Sequence, residues 1–327
     1  MVEDVSQIEG FREFFRTATH DDSSSEGHKP YPFQTRLATA KELPEQIDIP
    51  TGLGKTDAVV LAWLWRRRFA GEEVRAATPR RLVYCLPMRT LVEQTRDKAK
   101  MWLKNLGLFS EEPGNDKLAD TSKWNRKEDA DLDKTCIAVT VLMGGEDRDE
   151  WDLYPERDAI IIGTQDMLLS RALNRGYGMS RYRWPVHFGL LNNDCLWVMD
   201  EVQLMGVGVE TSAQMQAFCR SFGTINPVQY IWMSATVVGD KQLETVDHPK
   251  PAGGWQRLSL EKDEKELHAV HKKFDAQKLL KKADLTLVKD NEKKSYAKEL
   301  ANSIKSRHKE GKLTLAVVNR VDRAQES

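Results

Sequence analysis

Cysteine is scarce. Cys85, Cys136, Cys195 and Cys219 are the only four in 327 residues, and none stands near another. That spacing excludes a paired-cysteine zinc site and a dense disulfide framework, and it fits a reducing, cytoplasmic setting. Long apolar runs are missing too: the longest plain one, at 58–65, falls far short of the roughly 20 residues that a membrane-spanning helix needs. The amino terminus, MVEDVSQIEG, has no apolar core and is not a secretory signal. Charge of one sign is also lacking. Lys and Arg total 49 against 50 Asp and Glu, a net -1, so no bulk cationic field advertises nucleic acid or a membrane surface. No internal repeat is visible.

What is present is an ordinary globular composition, 40% apolar and 30% charged, enough to bury a sizeable core. Short β-branched apolar runs recur at 47–49, 82–86, 137–142, 159–162, 196–199, 230–233 and 313–318. Nearly continuous runs of this kind are what strands buried on both faces look like, and the spacers are long enough for crossover helices. The expectation is an α/β fold with a mostly parallel sheet flanked by helices. The polar stretch 105–134 reads as a surface insertion, and the Pro- and Gly-bearing stretch 247–255 as a domain break. The expected organisation is a flexible segment at 1–30, a nucleotide-binding domain at 31–246, and a linker with the beginning of a second domain at 247–327.

The strongest chemical signal is Ile49-Pro50-Thr51-Gly52-Leu53-Gly54-Lys55-Thr56, after a short strand and at the opening of a helical stretch. Glycines in such a loop turn backbone N–H groups inward around phosphate oxygens, and the helix amino terminus adds positive dipole. Lys55 is placed to reach the β and γ phosphates and the Thr56 hydroxyl to ligate Mg2+, so ATP with Mg2+ is the expected cofactor. The strict P-loop pattern has glycine where this chain has Ile49. The second signal is the apolar run ending in Asp200-Glu201-Val202-Gln203. At the carboxyl end of a parallel strand, Asp200 faces the P-loop crevice and holds the Mg2+, while Glu201 positions and deprotonates the attacking water. The third is Ser234-Ala235-Thr236 after the next apolar run, whose hydroxyls are placed to bond the acidic motif and couple nucleotide state to the rest of the domain.

In this order the three motifs resemble a superfamily 2 helicase motor built on a RecA-like P-loop domain. Further segments resemble that family's pattern. Pro87, Arg89 and Thr90, in Pro-Met-Arg-Thr-Leu-Val-Glu-Gln, resemble the motif that grips the sugar-phosphate chain. Gly144 and Gly145 resemble its paired-glycine turn, and Gly163, Thr164 and Gln165 a further strand-contacting motif. Phe33 and Gln34 resemble the pair in which Gln recognises adenine and the aromatic stacks on it. The run at 315–324 resembles the motif that opens a second RecA-like domain. The family draws arginines for hydrolysis from that second domain, in a motif that would lie past Ser327. The resemblance therefore implies that this chain binds ATP with Mg2+ but turns it over slowly.

The wording Asp-Glu-Val-Gln, the Arg-Gly-Tyr-Gly-Met-Ser-Arg stretch at 175–181 and Val-Val-Asn-Arg-Val-Asp-Arg-Ala-Gln are similar to the CRISPR-associated helicase-nuclease of type I systems. That resemblance implies a motor running on single-stranded DNA, recruited by the Cascade surveillance complex, with a histidine-aspartate nuclease that cuts the strand. The P-loop begins too early for such a nuclease to precede it, and His20-Asp21 sits in a polar loop without partner ligands, so the layout resembles type I-G, with the nuclease downstream or on a separate chain. Another superfamily 2 motor, an RNA helicase or a restriction translocase, stays open, as does a nucleotide- and strand-binding module without turnover. Trp63, Trp197 and Trp232 read as core rather than as base-stacking platforms. His268 and His271 read as surface. Arg66, Arg67 and Arg68 fit a phosphate contact and a solvated helix end equally well.

Overall fold

In a computed structural model of the chain, the described residues are 5–21, 26–109, 136–144, 151–235, 240–268, 270–271, 282, 285, 296–311 and 313–317. They fall into two compact units, Met1–His271 and Lys272–Ser327.

The apolar runs of the first unit become strands: β1 (Gln46–Asp48), β2 (Arg81–Leu86), β3 (Ala138–Leu142), β4 (Ala159–Thr164), β5 (Cys195–Met199) and β6 (Val228–Ser234). A seventh, β7 (Arg257–Ser259), lies beyond the stretch expected to separate domains and pairs with β1. The domain break expected at 247–255 thus falls inside the first unit. All pairings are parallel, in the order β3-β4-β2-β5-β6-β1-β7. The expected α/β class with a parallel, helix-flanked sheet is therefore what the chain adopts. Alternate residues of each strand feed two cores. Leu82, Tyr84 and Leu86 of β2 join one, with Leu196 and Val198 of β5, while Val83, Cys85, Trp197 and Met199 join the other. This is how a parallel sheet covered on both faces must be built. Trp63, Trp197 and Trp232 are fully buried with indole N–H groups on Pro79 O, Leu191 O and Ser212 Oγ, as the core reading expects.

Helices α1 (Val5–Ala18), α2 (Pro32–Thr39), α3 (Lys55–Leu64), α4 (Glu72–Ala77) and α5 (Arg89–Asn105) come first, and α6 (Gln165–Ala172), α7 (Trp184–Leu191) and α8 (Val207–Phe222) follow. Helix α1 stands where a flexible segment is expected. Its Phe11, Phe14, Phe15 and Ala18 repeat at helical spacing and are buried, with Phe14 against Trp65 and Phe69 at ring separations of 5.5 and 4.9 Å. Burial of three aromatic side chains outweighs the polar composition around them. Past Leu64 the helix widens into a π-helical turn, Trp65–Phe69. There Arg66 is buried and donates to the carbonyls of Ala38 and Ala40, while Arg67 and Arg68 pair with Asp158. These arginines belong to the packing of the domain, neither to a phosphate nor to a solvated end.

No helix among the described residues is long and apolar enough to cross a membrane. In the second unit a helix spans Tyr296–Arg307. The strand expected at 313–318 is not formed over 313–317, where Leu313, Leu315 and Val317 are exposed. A strand needs a neighbour for its backbone groups, and among the described residues none pairs there. The rest of the run at 315–324 lies outside the described residues, as does most of the insertion expected at 105–134.

Candidate nucleotide-binding site

Strands β5, β6 and β1 are neighbours in the sheet, so the chain segments leaving their carboxyl ends share one edge. Those segments carry Asp200 and Glu201, Ser234 and Ala235, and the loop 49–56. Residues far apart in sequence are thus brought to one crevice by strand order, the usual place for a ligand in an open parallel sheet.

The loop between β1 and α3 is built on left-handed glycines. Gly54 has φ +74°, and a Cβ there would sit 2.9 Å from Gln34 Nε2, so only glycine fits. Gln34 is buried between Tyr31, whose N–H reaches its Oε1 at 2.8 Å, and Gly54, whose carbonyl takes its Nε2 at 2.9 Å. Its amide therefore braces the loop rather than standing free for a base. Phe33, expected to stack on adenine, is completely buried, and the partly exposed ring beside it is Tyr31, stacked on Phe33 at 6.0 Å. An aromatic on the inward face of α2 packs before it stacks on a ligand. Thr51 and Gly52 are exposed, Leu53 is buried, and Lys55 is only 7% exposed, its Nζ donating to Ile49 O at 3.0 Å. In this arrangement the ammonium fills its own loop, in the position from which it would turn to phosphate oxygens.

Asp200 is 5% exposed. Its Oδ1 accepts from Glu201 N–H and its Oδ2 from the Tyr84 hydroxyl, both at 2.8 Å. Burial pushes the Asp200 carboxyl up to about 6 against the pull of the Tyr84 hydrogen bond, the Glu201 charge raising it further and Lys55 lowering it. A buried carboxylate held this far up is one that a cation would stabilise. Glu201 adopts φ +55°, an unusual conformation for a residue with a long side chain and a form of strain that collects at functional sites. Gln203 links the acidic motif to the end of β6: its Nε2 donates to Glu201 Oε2 at 2.5 Å, and its Oε1 accepts from Ser234 Oγ at 2.8 Å. Ala235 follows at the bend, and Thr236 lies outside the described residues.

The donors suit Mg2+, a hard cation that keeps waters and takes one or two protein oxygens beside phosphates. Thr56 offers a hydroxyl and Asp200 a carboxylate. Among the described residues no group of three or more His, Cys, Asp and Glu could cage a metal by itself.

The other expected contacts separate into two kinds. Arg89 and Thr90 are exposed at the amino end of α5, with Pro87 half-buried before them. Thr164 and Gln165 are half-buried at the start of α6, and Gln165 Oε1 packs on Gly208. Gly163 is buried, and the space its Cβ would need is taken by Leu142 O at 2.5 Å and Leu168 at 2.9 Å. It is a packing position between β4 and β3, not a strand contact. Gly144 is exposed in open space, and Gly145 lies outside the described residues. Sequence reasoning missed Tyr84, because a tyrosine within Arg-Leu-Val-Tyr-Cys-Leu reads as core; the only signal was the phenol itself, which needs a partner when buried.

The family model described as DEAD/DEAH box helicase matches residues 46–245. No curated protein matches the chain. Among solved structures, the DUF1998 helicase MrfA bound to DNA is similar at 14% identity over 78% of this chain and 29% of that one, with a TM-score of 0.46. The yeast DEAD-box splicing factor Prp28 is similar at 17% identity over 76% and 49%, with a TM-score of 0.46. A variant of S. cerevisiae Dbp5 bound to RNA and ADP BeF3 is similar at 17% identity over 72% and 48%, with a TM-score of 0.40. The chain thus spans less than half the length of each.

Proposed function

The chain belongs to the DEAD/DEAH box helicase family, and on that premise we propose that it is the ATP-binding part of a helicase that translocates on single-stranded DNA in a type I CRISPR interference system. The observation that carries the motor reading is the convergence of Lys55, Thr56, Asp200 and Glu201 on one sheet edge, with Gln203 joining Glu201 to Ser234. Lys55 leaves the Ile49 carbonyl for the β and γ phosphates. Thr56 and Asp200 would hold Mg2+, which would supply charge neutralisation at the phosphate oxygens. Glu201 orients a water toward the γ phosphorus and accepts its proton as ADP leaves. The exposed Arg89 and Thr90 are assigned to the nucleic-acid backbone. The wording of the motifs supports the CRISPR assignment, and with it recruitment by the Cascade complex, a histidine-aspartate nuclease acting on the same strand, and a cytoplasmic location.

The test is ATP binding and hydrolysis with and without single-stranded DNA or RNA. Nucleotide binding with slow hydrolysis, faster with DNA than with RNA, is the expected result. Preference for RNA moves the assignment to an RNA helicase, binding without any turnover leaves a nucleotide-dependent binding module, and no nucleotide binding overturns the reading. In the same assay Ser234→Ala removes one hydrogen bond, worth about 1 kcal/mol, so strand-stimulated hydrolysis is expected to fall about 5-fold while nucleotide affinity stays at the parent value.

A further inference from the structure

Tyr84 occupies the middle of β2, beside Val198 of β5, and its ring is fully buried in the layer formed by Leu82, Leu86, Leu196 and Val198. Leucine or phenylalanine would fill that layer equally well. A hydroxyl is costly there unless it is hydrogen-bonded, and the partner of this one is an expected metal ligand, Asp200 Oδ2 at 2.8 Å. The Tyr84 hydroxyl donates to Asp200, and with Glu201 N–H on Asp200 Oδ1 it leaves neither carboxylate oxygen free to turn.

We propose that Tyr84 is a positioning residue for the divalent cation, its hydroxyl fixing the Asp200 carboxylate before Mg2+ and nucleotide arrive. The inference rests on the nucleotide-site reading above and adds to it a residue that touches neither phosphate nor the attacking water. Mg2+ tolerates little departure from octahedral geometry, so the orientation of its few protein ligands governs its affinity. Partners behind metal ligands are typically worth about 10- to 100-fold in that affinity.

The experiment is titration of fluorescently labelled ADP in Mg2+ and in EDTA, which reads the factor by which the cation tightens binding. Tyr84→Phe keeps the ring and removes the oxygen, and Tyr84→Met serves as a second hydroxyl-free variant should the first fail to fold. Either is expected to bind ADP as the parent does in EDTA and to lose about 10-fold of the Mg2+-dependent gain. Val198→Ala, which trims the same core layer without touching the relay, is expected to melt lower with that gain unchanged. A gain retained or increased in the Tyr84 variants overturns the proposal, as does a loss of the same size in Val198→Ala. A parent chain that binds no ADP under either condition overturns the nucleotide-site reading itself, a result separable from any effect of Tyr84.

Discussion

Replacing Lys55 with alanine is expected to weaken nucleotide binding by about 10- to 100-fold and to reduce turnover by about 10²- to 10³-fold beyond that. The ammonium is almost wholly buried, and among the described residues its hydrogen bond goes to a neutral carbonyl, Ile49 O. A cation desolvated to this degree and bonded to a neutral acceptor is poised for a stronger, anionic partner, which the proposed function takes to be the phosphate oxygens. The fold should tolerate the change, because alanine suits the first turn of α3 and the lost contact is local. Titration of labelled nucleotide and steady-state hydrolysis measure the two effects, and a Lys55→Ala chain with parent affinity would remove the P-loop from the account. Glu201→Gln gives the complementary result: binding retained, because Glu201 reaches no phosphate in the assigned mechanism, and turnover lowered by about 10²- to 10⁴-fold through loss of the base.

The second large effect is on stability. Asp152, in the short turn Trp151–Leu153 before β4, is 8% exposed and receives Arg183 Nε at 3.0 Å and a second Arg183 nitrogen, with His187 Nε2 lying 3.2 Å away. His187 is 1% exposed and stands edge-on to Trp151 at 4.9 Å. The cluster pins α7 to the turn that precedes β4. Asp152→Ala leaves two donors buried without their acceptor and is expected to destabilise the domain by about 3 kcal/mol, at the lower end of such losses because Arg183 keeps 31% of its side chain in water. A thermal melt should fall by about 6 to 12 °C.

The same cluster sets an acid limit. Burial alone would raise the Asp152 carboxyl, but hydrogen bonds from His187 and Arg183, and their charges, more than reverse this and hold it well below the usual carboxylate range. Its contribution is therefore complete above about pH 4 and is lost as pH falls toward the folded value. His187 is lowered by burial, against the pull of Asp152, so the unfolded chain takes up its proton first and stability declines as pH drops below about 6.5. Both groups act in one direction. The parent is expected to melt progressively lower as pH falls from 7 to below 4, and Asp152→Ala to lose the part of that dependence below pH 4. A flat profile in the parent would contradict the assignment.

Sequence periodicity marked six strands of the sheet within a few residues, because a strand buried on both faces has to be written in apolar residues. It passed over β7, three residues of which only Leu258 is buried, since so short a strand is held by its pairing with β1 and not by its own pattern. It also passed over α1, whose aromatic stripe finds its burial against Trp65 and Phe69 and against the core beside them. In the candidate site, the loop at 49–56, Asp200, Glu201, Gln203 and Ser234 were legible as motif members, because phosphate chemistry calls for those residue types in that order. Phe33 and Gly163 were legible in the same way, and their burial was not, because a motif records residue type and not the direction in which a side chain points.

The sequence by itself thus determined the class of fold and the candidate residues of the site, for these depend on local spacing and on functional groups that cannot be exchanged. Tertiary structure alone decided the strand order that carries Asp200 and Ser234 to the loop at 49–56, the burial that lifts the Asp200 carboxyl to about 6, and the placing of the Tyr84 hydroxyl on Asp200. Strand order, desolvation and side-chain direction are set by contacts between segments distant along the chain, and no local pattern of residues encodes them.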